Sequence, residues 1–322
     1  MELRWNDTAR AQHRCVREGA GWFPWTHQLL EITGEEALDF LNGFFSANFS
    51  KTAVGQSKYT LMLTEEGRIA DDTIVMHLEE GCWLVTTMDA PAMKAAMERQ
   101  LPRYRVQLRE RTGEAEMFAV QGPRAEALLV PLLDQPSEDI RRFRFARRCL
   151  KGIPVLLHRS GFTGENGFEI FCAAGEAPAV QALLESMPGL TSITLSEVYL
   201  RSLSVEKGLT LQEDIQGLYP EECGLGRSVD LAKDFVGREA LLQRPETPGQ
   251  KLMGLEHDGS AAAGQTLYCA GAACGRVTAA TYGFTAEKYI GYAVVDAALA
   301  QSGQRVTLPD GSEAVLTEKG WL

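Results

Sequence analysis

Two adjacent carboxylates, Asp71 and Asp72, lie in a segment whose residue pattern predicts a β-strand. Because side chains alternate across a strand, the two carboxylates must point to opposite faces and cannot share one proton. A carboxylate that faces a cleft can orient an amine nitrogen and offset the positive charge that develops on it during a reaction. The alternative interpretation is a solvent-facing pair of acids close to a turn.

A third carboxylate, Glu165, lies in the glycine-rich segment 160–167, between two predicted strands. The glycines suit the tight turns of such a loop. A carboxylate has two oxygens and can accept two hydrogen bonds from an amino-pyrimidine edge. On the loop pattern alone, Glu165 is either a ligand-binding residue or a simple turn acid.

Other kinds of chemistry have little support. The G-x-S-x-G nucleophile pattern, the G-x-G-x-x-G fingerprint and the phosphate-loop pattern are all absent from the sequence. The five histidines lie far apart, without the spacing of metal ligands, and we expect no metal site. The seven cysteines are scattered and odd in number, and none forms a C-x-x-C pair, which indicates reduced thiols in a cytoplasmic protein.

The overall composition narrows the range of partners. The chain has 322 residues, of which 45% are hydrophobic, and a net charge of −11. This acidic balance gives no broad electrostatic footprint for nucleic acid or an anionic membrane, and the arginines clustered at 141–148 are expected on a solvated face. Residues 1–18 lack the apolar region of a signal peptide, and no run of 18 apolar residues occurs. We therefore expect no nucleic acid partner and no membrane-spanning segment.

The elements that position these carboxylates follow from the hydrophobic pattern. A hairpin is predicted around a turn at 64–67, and its second strand carries Asp71 and Asp72. A similar pattern recurs around Glu165, whose loop is flanked by two strands, so two α+β units succeed one another. The predicted strands cover 59–63, 68–77, 82–87, 106–108, 117–120, 155–158 and 168–171, and the predicted helices cover 35–45, 90–101, 124–130 and 177–186.

The character of the sequence changes after Gln243. Residues 244–249 are rich in proline and polar residues, which is typical of a linker. Beyond the linker only short strands are predicted, over 252–255, 275–278, 290–295 and 305–308. This pattern indicates a small β-barrel or sandwich of about 75 residues. The chain is thus predicted to be α+β, with one domain at 1–243 and a barrel domain at 250–322.

A set of short motifs resembles, in the same order, those of the glycine-cleavage T-protein (aminomethyltransferase) family. A family G-x-x-x-D-D ends at Asp72, and S-G-F-T-G-E-N-G-F-E around Glu165 is close to the family's T-G-Y-T-G-E-x-G-x-E. Further matches are V-Q-G-P at 120–123, P-E-E-C-G-L-G at 220–226, F-V-G-R-E-A-L at 235–241 and G-R-V-T at 275–278. The matching blocks cover most of the chain.

The resemblance implies a cloverleaf of two α+β units and a C-terminal β-barrel around a central opening that binds tetrahydrofolate. It implies that Asp71, the first of the two acids, is the catalytic acid beside the bridging nitrogens of folate, and that Glu165 binds the pterin. Tyr59 and Phe162 are candidates to stack on the pterin, with core packing as the alternative. His27 is expected to have a structural role.

The chain departs from the family pattern at several positions that face the pocket. The family's D-V-S-H-M is P-W-T-H-Q at 24–28, and the asparagine after the third strand is Thr87. Both arginines of A-R-D-x-L-R-L-E-A-G are replaced in 199–208, where Arg201 is either a substitute from a neighbouring position or an exposed helix residue. Glu206 and Lys207 are expected to be a solvated pair. We count Thr87 and Arg201 with the candidate cofactor-binding residues, and expect the departures to change the substrate rather than the fold.

Three functions remain open. An aminomethyltransferase would take a methylene unit from a lipoyl carrier protein and give it to tetrahydrofolate. A relative would demethylate a small donor, such as a methylated amine, thioether or ether, and the changes at Thr87, Ser204 and Gln212 favour it. A folate-binding accessory protein of the branch linked to tRNA modification and iron–sulfur upkeep would transfer nothing. That branch carries K-G-C-Y-x-G-Q-E, whose cysteine is replaced here by Leu209.

Overall fold

The computed structural model describes residues 7–25, 27–245 and 247–322. Thr26 and Glu246, which belong to two segments discussed above, lie outside the described residues. The helices are α1 Asp7–Glu18, α2 Ala37–Phe44, α3 Ala90–Glu98, α4 Ala125–Leu129, α5 Ala177–Glu185, α6 Leu203–Glu206, α7 Gln212–Ile215 and α8 Arg238–Gln243. The strands are β1 Gly21–Pro24, β2 Gln28–Thr33, β3 Ser57–Leu63, β4 Ile69–Glu79, β5 Cys82–Thr87, β6 Gln107–Glu110, β7 Ala115–Gln121, β8 Phe145–Leu150, β9 Ile153–His158, β10 Gly167–Ala173, β11 Thr191–Ser192, β12 Gln250–His257, β13 Thr266–Cys269, β14 Ala272–Gly283, β15 Lys288–Asp296, β16 Arg305–Thr307 and β17 Glu313–Thr317.

The first sheet has the strand order β3-β4-β5-β2-β6 and contains the predicted hairpin, β3 and β4. Its register shifts between Met62, which pairs with Asp71, and Leu63, which pairs with Ile69. Helices α2 and α3 cover one face of this sheet, where Val75 and Val85 meet their apolar side chains. The burial of this face fixes which side chains of β4 point toward the helices.

The second sheet has the order β11-β1-β7-β10-β9-β8. Its β1 lies between β11 and β7, so the N-terminal strand belongs to the second sheet although it precedes the first sheet in the sequence. Trp22, Val120 and Phe168 pack on one face of the sheet against residues of α4 and α5. The two α+β units therefore interleave instead of simply following one another.

The C-terminal strands close into a barrel in the order β12-β15-β14-β13-β16-β17. The predicted α+β fold with a terminal β-barrel is confirmed. The barrel also contains β13 and β17, which the hydrophobic pattern did not predict. No helix among the described residues is long and apolar enough to cross a membrane.

The segment 198–215 connects the hairpin, the second sheet and the barrel. It consists of the π-helical turn Val198–Ser202, then α6 and α7. Apolar side chains of α6 and α7 pack in one cluster with Leu61 of the hairpin and Tyr292 of the barrel. The Tyr292 hydroxyl also donates a hydrogen bond to the carbonyl of Leu209 at 2.8 Å. This segment is therefore the place where side chains from all three parts of the fold can meet.

Candidate functional site

Asp71 lies on the face of the first sheet that α2 and α3 cover. The residue is 2% exposed, and its Oδ2 accepts a hydrogen bond from the Thr87 hydroxyl at 2.7 Å. The Thr87 oxygen in turn accepts a hydrogen bond from the amide of Asp89, just before α3, at 3.0 Å. Asp71 and Thr87 are therefore in contact with each other, and their roles as catalytic acid and cofactor-binding residue stay predictions. Strand alternation holds: Asp71 shares the face of Val75, which the helices cover, and Asp72 points to the opposite face.

Asp72 lies on the opposite face, which is turned toward the segment 198–215. The Tyr59 hydroxyl donates a hydrogen bond to its Oδ2 at 2.9 Å. Burial raises the pKa of Asp72 to about 6; the hydrogen bond from Tyr59 opposes the rise, while the charges of Asp71 and Asp214 add to it. Burial, followed by the negative charge of Asp72, raises the pKa of Tyr59, so the phenol keeps its proton. Asp72 therefore titrates near pH 6, whereas its hydrogen-bond donor, the Tyr59 hydroxyl, stays protonated there.

Arg201 lies in the π-helical turn and not on an exposed helix face. Its guanidinium donates a hydrogen bond to Oδ2 of Asp214 at 2.8 Å and pairs with Glu213. Asp214 is fully buried, and its Oδ1 has no hydrogen-bond partner among the residues that the structure describes. Gln212 Nε2 donates to the carbonyl of Ala70, one residue before the acidic pair, at 2.9 Å. The guanidinium of Arg201 is thus engaged within its own segment, and the acid it pairs with has one free oxygen.

Glu165 lies on the loop that precedes β10 and contacts Lys207 in the middle of the segment 198–215. Its Oε1 accepts hydrogen bonds from Arg17 Nη1 at 2.8 Å and lies 3.3 Å from Lys207 Nζ. Its Oε2 has no hydrogen-bond partner among the described residues, and the side chain is 18% exposed. Gly164 has a φ of +73°, and a Cβ there would overlap the side chain of Lys207. The loop therefore holds the Glu165 carboxylate among tightly packed charged side chains and leaves its Oε2 available to a ligand.

Glu206 is not part of a solvated pair with Lys207. It is fully buried, and its Oε2 lies 3.0 Å from Arg17 Nη2 and 3.1 Å from His13 Nε2. Burial alone would raise the pKa of Glu206, but the hydrogen bond and charge of His13, together with Arg17, outweigh it and hold the pKa below its ordinary value. The sequence pattern missed this buried acid because its partners come from α1, about 190 positions earlier in the chain.

Phe162 packs within a group of aromatic rings. It meets the Trp25 ring edge-on at a centroid distance of 5.4 Å, and Trp25 also lies 5.4 Å from Tyr199. Trp25 Nε1 donates a hydrogen bond to His27 Nε2 at 2.8 Å, while His27 Nδ1 is buried without a partner in the described part of the chain. Burial lowers the pKa of His27, so the ring is neutral and carries its proton on Nδ1. His27 thus has a structural hydrogen bond, as expected, and a second nitrogen free to donate.

A hydrogen-bonded series that the sequence did not predict joins the two sheets. Ser57 Oγ lies 2.7 Å from His158 Nε2, and His158 Nδ1 lies 2.9 Å from Glu169 Oε2. This order of groups occurs in hydrolases, but here Ser57 is nearly buried and also bonds to the carbonyl of Phe143 at 3.2 Å. We therefore interpret the series as a structural connection between β3 and the second sheet. Across residues 7–25, 27–245 and 247–322, no cluster of three or more His, Cys, Asp or Glu side chains could hold a metal ion.

The two α+β units and the terminal barrel define a T-protein-like class of protein, and comparison with known proteins identifies the family. The family described as "GCVT N-terminal domain" matches residues 2–233, and "Glycine cleavage T-protein C-terminal barrel domain" matches residues 250–316. The chain belongs to the glycine-cleavage T-protein family and is an enzyme that transfers one-carbon groups.

Relatives with established names agree with this assignment. An aminomethyltransferase of Herpetosiphon aurantiacus is 35% identical over 307 residues, which cover 92% of this chain and 84% of the relative. One from Saccharopolyspora erythraea is 34% identical over 332 residues, covering 99% of this chain and 90% of the relative. The crystal structure of glycine cleavage system aminomethyltransferase T from Bartonella henselae superposes with a TM-score of 0.87 at 26% identity, covering 96% of this chain and 88% of that one.

Proposed function

We propose that this protein is a tetrahydrofolate-dependent one-carbon transferase that moves a methylene or methyl group from a small donor to tetrahydrofolate. The observation that carries the proposal is that two carboxylates of different character lie against one segment, 198–215. Glu165 is ion-paired beside Lys207, while Asp72 is bonded to Tyr59 and lies close enough to Asp214 for its charge to affect the pKa of Asp72. Glu165 suits hydrogen bonding to a pterin ring, and Asp72 suits proton transfer.

The residues present fit a folate. The free Oε2 of Glu165, together with Oε1, offers acceptors to the amino-pyrimidine N–H groups of a pterin. Tyr59 and Phe162 remain the candidate aromatic contacts, and the free Nδ1–H of His27 is a donor for a ring heteroatom or carbonyl. When bound, tetrahydrofolate supplies the amine nitrogens that receive the one-carbon unit. We assign its recognition to Glu165.

Asp72, and not Asp71, is the acid we assign to the chemistry. As a carboxylate it can accept a hydrogen bond from an amine nitrogen, orient it, and offset the positive charge that develops there. Its pKa of about 6 keeps it mostly ionised at pH 7 while leaving it basic enough to take a proton. Tyr59 holds the carboxylate in place through a hydroxyl that stays protonated. Asp71 then serves to fix the end of the strand through Thr87.

The donor we propose is a small methylated amine in its cationic form. The group it gives is a methyl: a folate nitrogen forms the new bond to the methyl carbon and loses its proton, while the donor's carbon–nitrogen bond breaks and the demethylated amine leaves with the electron pair. The carboxylate of Asp72 and the free, buried Oδ1 of Asp214 favour a positively charged donor over a neutral one. Trp25 and Tyr199 stand where the family motifs quoted above have valine and alanine, and these two rings lie against each other. The larger rings leave less room than the family pattern for the arm of a lipoyl carrier protein.

Two measurements on the purified protein test the proposal in order. Titration with 5-formyltetrahydrofolate should raise the melting temperature, because a ligand that binds only the native state stabilises it by mass action. The lipoylated carrier charged with aminomethyl groups and a panel of methylated amines, thioethers and ethers are then supplied in turn, while methylene- and methyl-tetrahydrofolate are followed.

The outcomes separate the alternatives. Turnover of a methylated amine, with poor turnover of the lipoyl carrier, is the expected result. Efficient turnover of the carrier would refute the small-donor proposal and assign the ordinary aminomethyltransferase reaction. Folate binding without turnover of any donor would favour an accessory role, and the absence of a thermal shift at millimolar folate would remove the proposal altogether.

A further inference from the structure

The N-terminal helix α1 delivers one arginine to the centre of the molecule. Arg17 is in the last turn of α1, and its side chain is only 7% exposed. Its Nη1 donates hydrogen bonds to the carbonyl of Thr163 at 2.7 Å and to Oε1 of Glu165 at 2.8 Å. Both acceptors belong to the loop that carries the proposed pterin-binding carboxylate.

The other edge of the same guanidinium is bonded to the segment 198–215. Arg17 Nη2 donates to the carbonyl of Leu203 at 2.7 Å and to Oε2 of Glu206 at 3.0 Å, and Nε approaches the same oxygen at 3.3 Å. The five N–H groups of an arginine lie in one plane, so these bonds fix the guanidinium in orientation as well as position. A lysine in the same place has no such planar fork.

Glu206 is itself held by the barrel. Its Oε1 accepts hydrogen bonds from the backbone amides of Thr285 and Ala286, at 2.7 and 3.2 Å, in the connection between β14 and β15. The chain of contacts therefore runs from the barrel through Glu206 and Arg17 to Glu165. Lys207 also reaches Glu165, but at 3.3 Å and with 27% of its side chain exposed, so it constrains the carboxylate much less.

We propose that Arg17 is a positioning residue for Glu165, holding that carboxylate with Oε2 aimed toward the amino-pyrimidine edge of the folate. This inference rests on the proposed folate-binding function. Arg17 bonds to Oε1 and to the Thr163 carbonyl, so both the side chain and the backbone of the loop are fixed before the ligand arrives. A carboxylate that is already immobilised loses less entropy on binding.

A double-mutant cycle on the full chain tests the proposal. Dissociation constants for 5-formyltetrahydrofolate are measured by calorimetry for the parent, Arg17→Gln, Glu165→Gln and the double variant. Arg17→Gln should weaken binding by about tenfold or more in the parent, since hydrogen bonds to charged groups are worth roughly 1.5–3 kcal/mol. In the Glu165→Gln background the same substitution should change the dissociation constant by less than about twofold, because the carboxylate it positions is gone.

Two control variants and one kinetic measurement make the result specific. Arg14→Gln removes an arginine of the same helix that, within the described part of the chain, pairs with the exposed Glu18, and it should leave affinity unchanged. Arg17→Lys retains the charge without the fork, and it keeps the cycle measurable if Arg17→Gln does not fold. With the proposed small donor, the Arg17 variants should raise the KM for folate and leave kcat at saturating folate near the parent value.

Each outcome decides the matter. Equal losses of affinity in the Glu165 and Glu165→Gln backgrounds would mean that Arg17 acts only through the general integrity of the fold, and would overturn the proposal. Unchanged affinity in both Arg17 variants would overturn it as well. A parent protein that binds no folate would instead refute the proposed function itself, and that result is visible before any variant is made.

Discussion

The two ends of the candidate site hold their acids in opposite ways. At one end Glu165 is surrounded by cations, with Arg17 and Lys207 on one oxygen. At the other end Asp72 has a neutral phenol as its partner and two further acids nearby, and its pKa rises to about 6. Hydrogen-bonding cations fix the position of a carboxylate, whereas burial among acids raises its pKa. The Glu165 end therefore suits ligand recognition, and the Asp72 end suits proton transfer.

The largest expected effect concerns the Asp72 end. Asp72→Asn should lower kcat by roughly 10²–10⁴, since general acid–base groups contribute on that scale, and should leave the dissociation constant for folate nearly unchanged. Asp71→Asn is the matched control, one residue away and facing the helices. It should retain close to parental turnover once any loss of stability is allowed for. Steady-state kinetics with the identified donor decide between them, and a larger loss in Asp71→Asn would restore the first acid of the pair as the catalytic one.

The next largest effect is on the free energy of unfolding and concerns Glu206, at the Glu165 end of the site. Glu206→Gln removes the charge that faces Arg17 and His13 in a fully buried site, and breaking such a pair costs about 3–5 kcal/mol of the free energy of unfolding. Urea unfolding followed by circular dichroism measures it. Glu18→Gln, which among the described residues loses the exposed pair with Arg14, should change the free energy of unfolding by less than about 0.5 kcal/mol. Similar values for the two variants would mean that the buried charges are not coupled.

The pH dependence should distinguish the two ends directly. Because the active form of Asp72 is the carboxylate and its pKa is raised to about 6, kcat should rise with pH through that value and be about tenfold lower at pH 5 than at its plateau. Asp72→Asn should abolish this limb of the profile. Folate affinity, measured over the same range, should not follow it. A kcat profile that is flat between pH 5 and 7 in the parent would argue against Asp72 as the titrating group.

The smallest effect is expected from Lys207→Ala. The ammonium of Lys207 is partly exposed and meets Glu165 at 3.3 Å, so its loss should weaken folate binding by no more than about fivefold, in keeping with surface ion pairs of up to about 1 kcal/mol. Comparison with Arg17→Gln under identical conditions then ranks the two cations. If Lys207→Ala costs more than Arg17→Gln, the carboxylate is held from the segment 198–215 and not from α1.

The sequence predicted most of the fold, because alternating strands, amphipathic helices and glycine-rich turns are local signals. It predicted the hairpin and the opposite orientation of Asp71 and Asp72, but not which of the two faces α2 and α3 cover. That coverage is a property of packing between distant elements. Helix α1 was missed since its sequence, D-T-A-R-A-Q-H-R-C-V-R-E, has few apolar residues. On its inner face Gln12 and His13 are nevertheless buried, with His13 fully inaccessible, because they meet polar partners from elsewhere in the chain.

For the site, the motif around Glu165 predicted the loop but not its cations. Arg17 is 148 positions away in sequence and has no motif of its own. Arg201 was expected either to bind the cofactor or to lie on an exposed helix face. Its side chain is mostly buried and pairs with Asp214, thirteen positions later, and its role toward the cofactor stays a prediction. Charged residues brought together by tertiary packing leave no periodic signal in a single sequence, so these partners required the structure.

The guanidinium of Arg17, which joins α1 to the Glu165 loop and the segment 198–215, limits how this sequence can diverge. A substitution at position 17 leaves two acids without their common cation, one of them fully buried at position 206. Change at any one of the three positions is therefore selected against unless the others change with it. Among relatives, positions 17, 165 and 206 should covary as a triplet, and a lineage that abandons the pterin should release all three together.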